Sequence, residues 1–182
     1  MALSTWNIDP SHSSLGFSVR HMVVSKTRGR FTKWSGQIRF DPDDPQASSV
    51  EVTIDPASID TADAQRDAHL RSADFFNVAE YPVASFRSTR VEESGADRYL
   101  VTGDLTVHGV TRPVALETTY EGSGRDPWGG ERAGFTASAA IDRKDFGLTW
   151  NKALETGGLL VGDKVELILE VEAVKQAEQK AA

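Results

Sequence analysis

Apolar residues recur at every second position over most of the chain. Leu15, Phe17, Val19, His21 and Val23 alternate with Gly16, Ser18, Arg20 and Met22, and Tyr99, Val101, Gly103, Leu105 and Val107 alternate with Thr102, Asp104, Thr106 and His108. Phe135, Ala137, Ala139 and Ile141 repeat the pattern, as do Val165, Leu167, Leu169 and Val171 against Glu166, Glu170 and Glu172. Successive side chains of a strand leave opposite faces of the pleat, so these runs predict strands with one buried face. Shorter candidates lie at 4–9, 30–40, 48–54, 83–92 and 112–120, where Thr, Val, Phe, Trp and Tyr recur. Turn residues separate the runs: Asp41 to Pro45, Glu93 to Asp97, His108-Gly109 and Gly122 to Gly130. Short links favour antiparallel neighbours. About eight strands joined by hairpins predict an all-β closed barrel or sandwich rather than a parallel sheet.

One stretch breaks the period. Residues 62–73 carry no β-branched side chain and are rich in helix formers, which predicts a short helix across one end of the barrel. Thr61 is the expected cap, Asp63 suits the positive end of the helix dipole, and Asp67 with Arg71 forms an i,i+4 pair. Residues 143–162 read as a long glycine-bearing loop, and loops of that length in small domains usually carry function. The expected division is one barrel domain over 3–174 and a polar tail over 175–182.

Composition narrows the classes. The chain has 182 residues, 39% hydrophobic and 26% charged, enough for one sizeable core and too ordinary for disorder. Its net charge of -7 argues against a general affinity for nucleic acid, which needs a basic footprint. No apolar run approaches the roughly 20 residues that span a bilayer as a helix. There is no cysteine, which removes disulfides, thiolate metal sites and Cys nucleophiles. Residues 1–10 show neither a basic n-region nor an apolar h-region, so the expected location is cytoplasmic.

Charge is nonetheless uneven. Between Pro10 and Phe40 there is no Asp or Glu, while Arg20, Lys26, Arg28, Arg30, Lys33 and Arg39 are all present. Two readings are open: a solvated outer face, or a basic rim that attracts an anionic head group or membrane surface.

Catalytic signatures are missing. Gly157 and Gly162 have the spacing of a P-loop but are followed by Asp163 rather than Lys, and there is no nucleophile elbow, His-Glu-x-x-His pair or calcium loop. No cofactor or metal is expected. His108 before Gly109 suits a turn. His21 shares the parity of Phe17 and Val19, so it points inward, either as a satisfied core histidine or as a polar group fixing a ligand's head. His69 on the helix reads as a surface residue. Most of the aromatic residues read as core, yet Gly103, Ala137 and Ala139 occupy core-parity positions and leave volume unfilled. A barrel of about eight strands holds at most one slender ligand, and a narrow apolar lumen selects a long hydrocarbon.

The same segments carry a resemblance. Trp6-x-Ile-Asp-Pro-x-His12-Ser, Phe17-Ser-Val-Arg-His21, Gly29-Arg-Phe, Arg66-Asp-x-His69-Leu-Arg-Ser-x-Asp-Phe-Phe and Tyr81-Pro-x-x-Ser-Phe86 lie in the first half. Gly103-Asp-Leu-Thr-x-His108-Gly, Arg143-x-Asp-Phe-Gly-x-x-Trp150-Asn and Val161-Gly-Asp-x-Val165 follow. Together they resemble the YceI-like family of polyisoprenoid-binding proteins, over about residues 5–174. The resemblance implies a lipocalin-like barrel around a prenyl chain, such as a polyprenyl phosphate or a quinone tail, with no strict catalytic signature.

Burying one CH₂ is worth ~0.8 kcal/mol, so one isoprene unit contributes roughly 3 kcal/mol before ordering costs. A few units then bind tightly, and head-group contacts tune selectivity. The expected chain-binding residues are Phe17, Val19, His21, Phe31, Trp34, Phe75, Phe86, Leu105, Phe135, Phe146 and Trp150; the expected head-group residues are His12, Arg66, His69, Arg143 and Lys144. The expected role is carrier or store. Two rivals stand beside it. One is an enzyme acting on a prenyl or lipid substrate, with His21 and His69 as acid or base and Arg66 or Arg143 holding an anion. The other is a module docking on anionic membranes through the basic 10–40 face. Peripheral membrane contact and a homodimer are both compatible with the carrier reading.

Overall fold

The computed structural model describes residues 2–177. The chain runs β1 (Ser4–Ile8), β2 (Ser14–His21), β3 (Ser25–Phe31), β4 (Trp34–Phe40), β5 (Ser49–Ile54), β6 (Ile59–Asp60), α1 (Ala64–Arg71), β7 (Ala84–Gly95), β8 (Arg98–Val107), β9 (Val110–Arg125), β10 (Glu131–Asp142) and β11 (Val161–Lys175). The strand order is β1-β4-β5-β7-β8-β9-β10-β11-β2-β3-β6, and β1 also pairs with β11. β1 and β2 both lie along β11 and form one interrupted stave; β4 and β3 lie along its two halves and form a second, and β5 and β6 along the halves of that one form a third. Eight antiparallel staves then close into a barrel, and the sandwich alternative falls away.

Two of the three interruptions have a sequence cause in an Asp-Pro step. Asp9-Pro10 and Asp55-Pro56 each open a 3-10 turn, with the carboxylate accepting the backbone N–H of Ser11 and Ala57 at 3.0 Å. Proline fixes its own φ and lacks the N–H a ladder would use, so the stave breaks there and resumes beyond. The turn at His108-Gly109 has φ of 54° and 72°, the mirror-image geometry that joins twisted strands.

Helix α1 is two residues shorter at each end than expected. Asp63 rather than Thr61 is its cap, accepting the N–H groups of Gln65 and Arg66 at 3.0 Å. The expected Asp67–Arg71 pair is absent because both ends have better partners. Asp67 is buried and accepts the N–H and Oγ1 of Thr61, while Arg71 donates to the carbonyls of Ala57 and Ile59. Val23, expected to extend β2, lies in the turn to β3 and is 61% exposed. Lys175, expected to begin the tail, ends β11 opposite Trp6, and the Gln176 N–H donates to Thr5 O. Residues 178–182 of that tail lie outside the described residues.

The inward faces of the staves do not fill the barrel evenly. Phe40, Tyr99, Tyr120 and Phe135 meet edge-on or tilted, with ring centroids 5.0–5.8 Å apart, and plug one end. Burial pushes the Tyr99 phenol up from its ordinary value. Gly103 proves not to be spare volume: a Cβ there would stand 2.5 Å from the Phe86 ring and 2.5 Å from Arg87 O, so the ring already occupies that space. Ala137 is different. It faces the lumen between Thr118 and Leu169 and leaves room beside it.

Candidate functional site

A cavity of about 840 Å³ runs through the barrel, at the upper end of the range for ligand pockets. Its existence explains a burial pattern. Phe17, Val19, Val165, Leu167 and Leu169 point inward yet remain only half-buried, because what they face is space rather than other side chains. All eleven expected chain-binding residues line it: Phe17, Val19, His21, Phe31, Trp34, Phe75, Phe86, Leu105, Phe135, Phe146 and Trp150. Alternation had already pointed Val165, Leu167 and Leu169 inward. Thr61, Gln65 and Leu160 also line the cavity but belong to no period, and no local signal marked them.

The end opposite the aromatic plug is the mouth. Arg20, Asp63 and Gln65 line the cavity there and are exposed, and α1 lies across it with the 147–160 segment beside it. Arg39, Ser48 and Ser49 are the polar residues bordering the plugged end. His69 is not a bystander on the surface. Its ring stands edge-on to Trp150 at 4.7 Å and to Phe75 at 5.1 Å, and its Nε2 meets Asp74 Oδ2 at 2.9 Å. The helix thereby reaches across the mouth to the loop. The His21 ring lines the cavity and has no side-chain hydrogen-bond partner among the described residues.

The two arginines differ in what they can offer. Arg66 donates through Nε to Thr61 Oγ1 at 2.8 Å and through Nη2 to Thr61 O at 2.7 Å, so Nη1 is left over at the mouth. Arg143 is 4% exposed and fully engaged. Its guanidinium donates to Gly162 O at 2.8 Å, Leu148 O at 2.6 Å, Trp150 O at 2.9 Å and Val161 O at 3.4 Å, with Asp163 Oδ1 at 3.7 Å. Burial holds its pKa below the ordinary arginine value, with Asp163 opposing the shift. It lines the cavity but staples the long loop to β11, with four of its five N–H groups on these carbonyls and the fifth directed toward Asp163. Asn151 completes the staple by exchanging two hydrogen bonds with the Val161 backbone at 2.7 and 3.0 Å.

His12 and Lys144, expected at the head group, do not line the cavity. Lys144 pairs with Asp163 at 3.2 Å on the outer side. His12 is exposed and bonds Asp9 Oδ2 at 2.9 Å, beside Arg132, whose Nη1 reaches Asp9 at 3.0 Å and Glu172 at 2.6 Å. Ser11 and His12 are the main reasons the Asp9 carboxyl lies well below the ordinary carboxylate range, with Arg132 adding to them. Asp9, His12 and Glu172 offer ligand atoms within 4.8 Å of one another, but the Arg132 cation already bridges the two carboxylates. This is a clamp across the seam between the first and last staves.

The comparisons with known proteins agree with this architecture. The family model described as YceI-like domain matches residues 6–173. Protein YceI of Escherichia coli O157:H7 is 46% identical over 165 residues, covering 91% of this chain and 83% of that one. The crystal structure of BcnA from Burkholderia cenocepacia is similar at TM-score 0.81 and 28% identity, covering 91% of this chain and 98% of that one. A polyisoprenoid binding domain from Saccharophagus degradans, implicated in plant cell wall breakdown, shares the fold at TM-score 0.67 and 17% identity, over 96% of this chain and 100% of that one. Among the described residues no helix is long and apolar enough to cross a membrane.

Proposed function

The chain belongs to the YceI-like domain family, and from that premise we propose that it binds a long-chain isoprenoid lipid in its apolar lumen and acts as a carrier or store. The observation that carries this reading is the cavity of about 840 Å³, walled almost wholly by hydrocarbon side chains, plugged by aromatic rings at one end and edged by polar groups at the other. The chain leaves water for a preformed apolar space, which binds it without any strong polar contact. The Saccharophagus degradans domain that shares this barrel is itself a polyisoprenoid binding domain, which supports the choice of ligand class.

Head-group contact falls to His21, His69 and the unused Nη1 of Arg66, since Arg143 is engaged and His12 and Lys144 lie outside. The ligand class covers a polyprenyl phosphate or a prenylated quinone. Loading requires peripheral contact with the membrane in which such a lipid resides. The absence of catalytic signatures in the sequence favours binding over chemistry. Mass spectrometry of an organic extract of the purified protein is the test: a prenyl lipid near one per chain is expected. An extract holding only water-soluble material, together with no uptake of added prenyl alcohol, would sink the reading. A mass change in an added lipid, abolished by His21→Ala, would instead favour the enzyme. Cell fractionation decides the expected cytoplasmic location, and sedimentation of the purified chain decides the expected homodimer.

A further inference from the structure

The turn between β2 and β3 places apolar side chains where water-facing ones would be expected. Met22, Val23 and Val24 are 46%, 61% and 84% exposed, and Leu159 on the neighbouring loop is 45% exposed. The two segments form one surface. The Met22 N–H donates to Leu160 O at 2.8 Å, and a Cβ on Gly158 would stand 3.3 Å from Val23 Cγ2. Met22 and Val23 also hold φ of 54° and 67°, a left-handed pair for which Asn-Gly is the favoured occupant and a β-branched residue is costly. Neither folding nor solubility accounts for spending Met-Val-Val there, and contiguous exposed apolar residues rimmed by polar ones mark interaction surfaces.

The surroundings name the partner. Arg20 and Lys26 face each other across the hairpin one pair behind His21 and Ser25 at the tip, Arg28 follows two pairs further back, and Lys152 stands on the adjoining loop. Lys26 shares Glu166 at 3.5 Å, whereas Arg20 and Arg28 have no ion pair among the described residues. Glu155 is the one carboxylate between residues 146 and 162. In a chain of net charge -7, the β2–β3 side of the mouth therefore carries an apolar tip on a cationic collar, while Asp63 and Asp74 lie on the helix side. His21, Leu160 and Val161, which immediately flank that surface, line the cavity.

We propose that the Met22–Val24 turn and Leu159 form a docking tip that inserts into the interface of an anionic lipid bilayer, with Arg20, Lys26, Arg28 and Lys152 against the head groups. Docked in this way, the mouth faces the bilayer, and a hydrocarbon chain passes from acyl region to lumen without crossing water. This purpose rests on the tunnel reading, but the surface itself is tested without any prenyl lipid.

The experiment is flotation of the full chain with vesicles of phosphatidylcholine, with and without roughly one-third phosphatidylglycerol. The protein should float with anionic vesicles at low salt and release at ~1 M salt, where the screening length falls to about 3 Å. Replacing Met22→Asn, Val23→Gly and Val24→Ser together should cut the vesicle-bound fraction roughly tenfold or more, since three exposed apolar side chains no longer leave water. The same variant should keep or raise its melting temperature, because Asn-Gly suits the left-handed turn, so loss of binding cannot be assigned to unfolding. Arg20→Glu with Arg28→Glu should abolish the preference for anionic vesicles with the tip intact. Flotation indifferent to both variants overturns the proposal. So does a tip variant that leaves vesicle binding intact but converts a wild-type dimer to a monomer, which would make a second copy the occupant. Unchanged uptake of prenyl alcohol from detergent by the tip variant keeps the tunnel reading separate from this one.

Discussion

Ala137→Phe tests whether the lumen is the binding site and how deep it runs. Ala137 faces the cavity from the middle of β10, flanked by Thr118 and Leu169, one inward position above Phe135 of the aromatic plug. From Phe135 to Ile141 the strand covers roughly 20 Å at ~3.3 Å per residue, and a tilt of ~40° leaves about 15 Å of depth between plug and mouth. A phenyl ring at Ala137 fills the lower part of that depth and displaces about one isoprene unit. The lost burial is roughly 3 kcal/mol, or about a hundredfold in affinity. The free protein should not suffer, since a ring added to an empty apolar space keeps or raises the melting temperature. The assay is titration with a ladder of prenyl alcohols of increasing length, followed by the fluorescence of Trp34 and Trp150, both of which line the cavity. Long chains should lose about a hundredfold, and chains too short to reach Ala137 should lose little. A folded variant that binds every length as the wild type does would refute the placement of the chain in the lumen.

Two further outcomes follow from charged groups that hold the long loop and the barrel seam. Arg143→Met leaves several buried carbonyls without a donor, with Lys144 remaining as the cation on Asp163, and should destabilise the fold by about 3–5 kcal/mol, read as a large drop in midpoint in urea unfolding. The clamp of Asp9, His12, Arg132 and Glu172 sets an acid limit. Because the folded Asp9 carboxyl lies below its ordinary value of 3.8, its stabilisation is complete above that value and is lost as pH falls below it. Thermal melts from pH 5 to pH 2 should therefore show a shallower acid loss for Asp9→Asn than for the wild type, and equal slopes would remove Asp9 from the account.

Much of the barrel was legible in the residues because alternation is a local property. Each run from Leu15 to Val171 states which of its side chains can be buried, whatever it pairs with, and so the strand members of the inward set, such as Phe17, Val19, Leu105 and Phe135, could be named in advance. Turn chemistry is equally local, as at His108-Gly109. Three things were decided only by contacts between distant residues. Closure depends on Trp6 meeting Lys175, and no sequence pattern links two segments so far apart. Whether a small residue leaves space depends on its neighbour's ring, which is why Phe86 closes over Gly103 while the room beside Ala137 stays free. What a cation does depends on which acceptors surround it. Arg66 and Arg143 look alike as residues near a mouth, but the fold surrounds Arg143 with the carbonyls of the 148–162 segment and leaves part of Arg66 at the rim. Side-chain type sets what a group is able to bond, and only three-dimensional packing decides which of those bonds are already made.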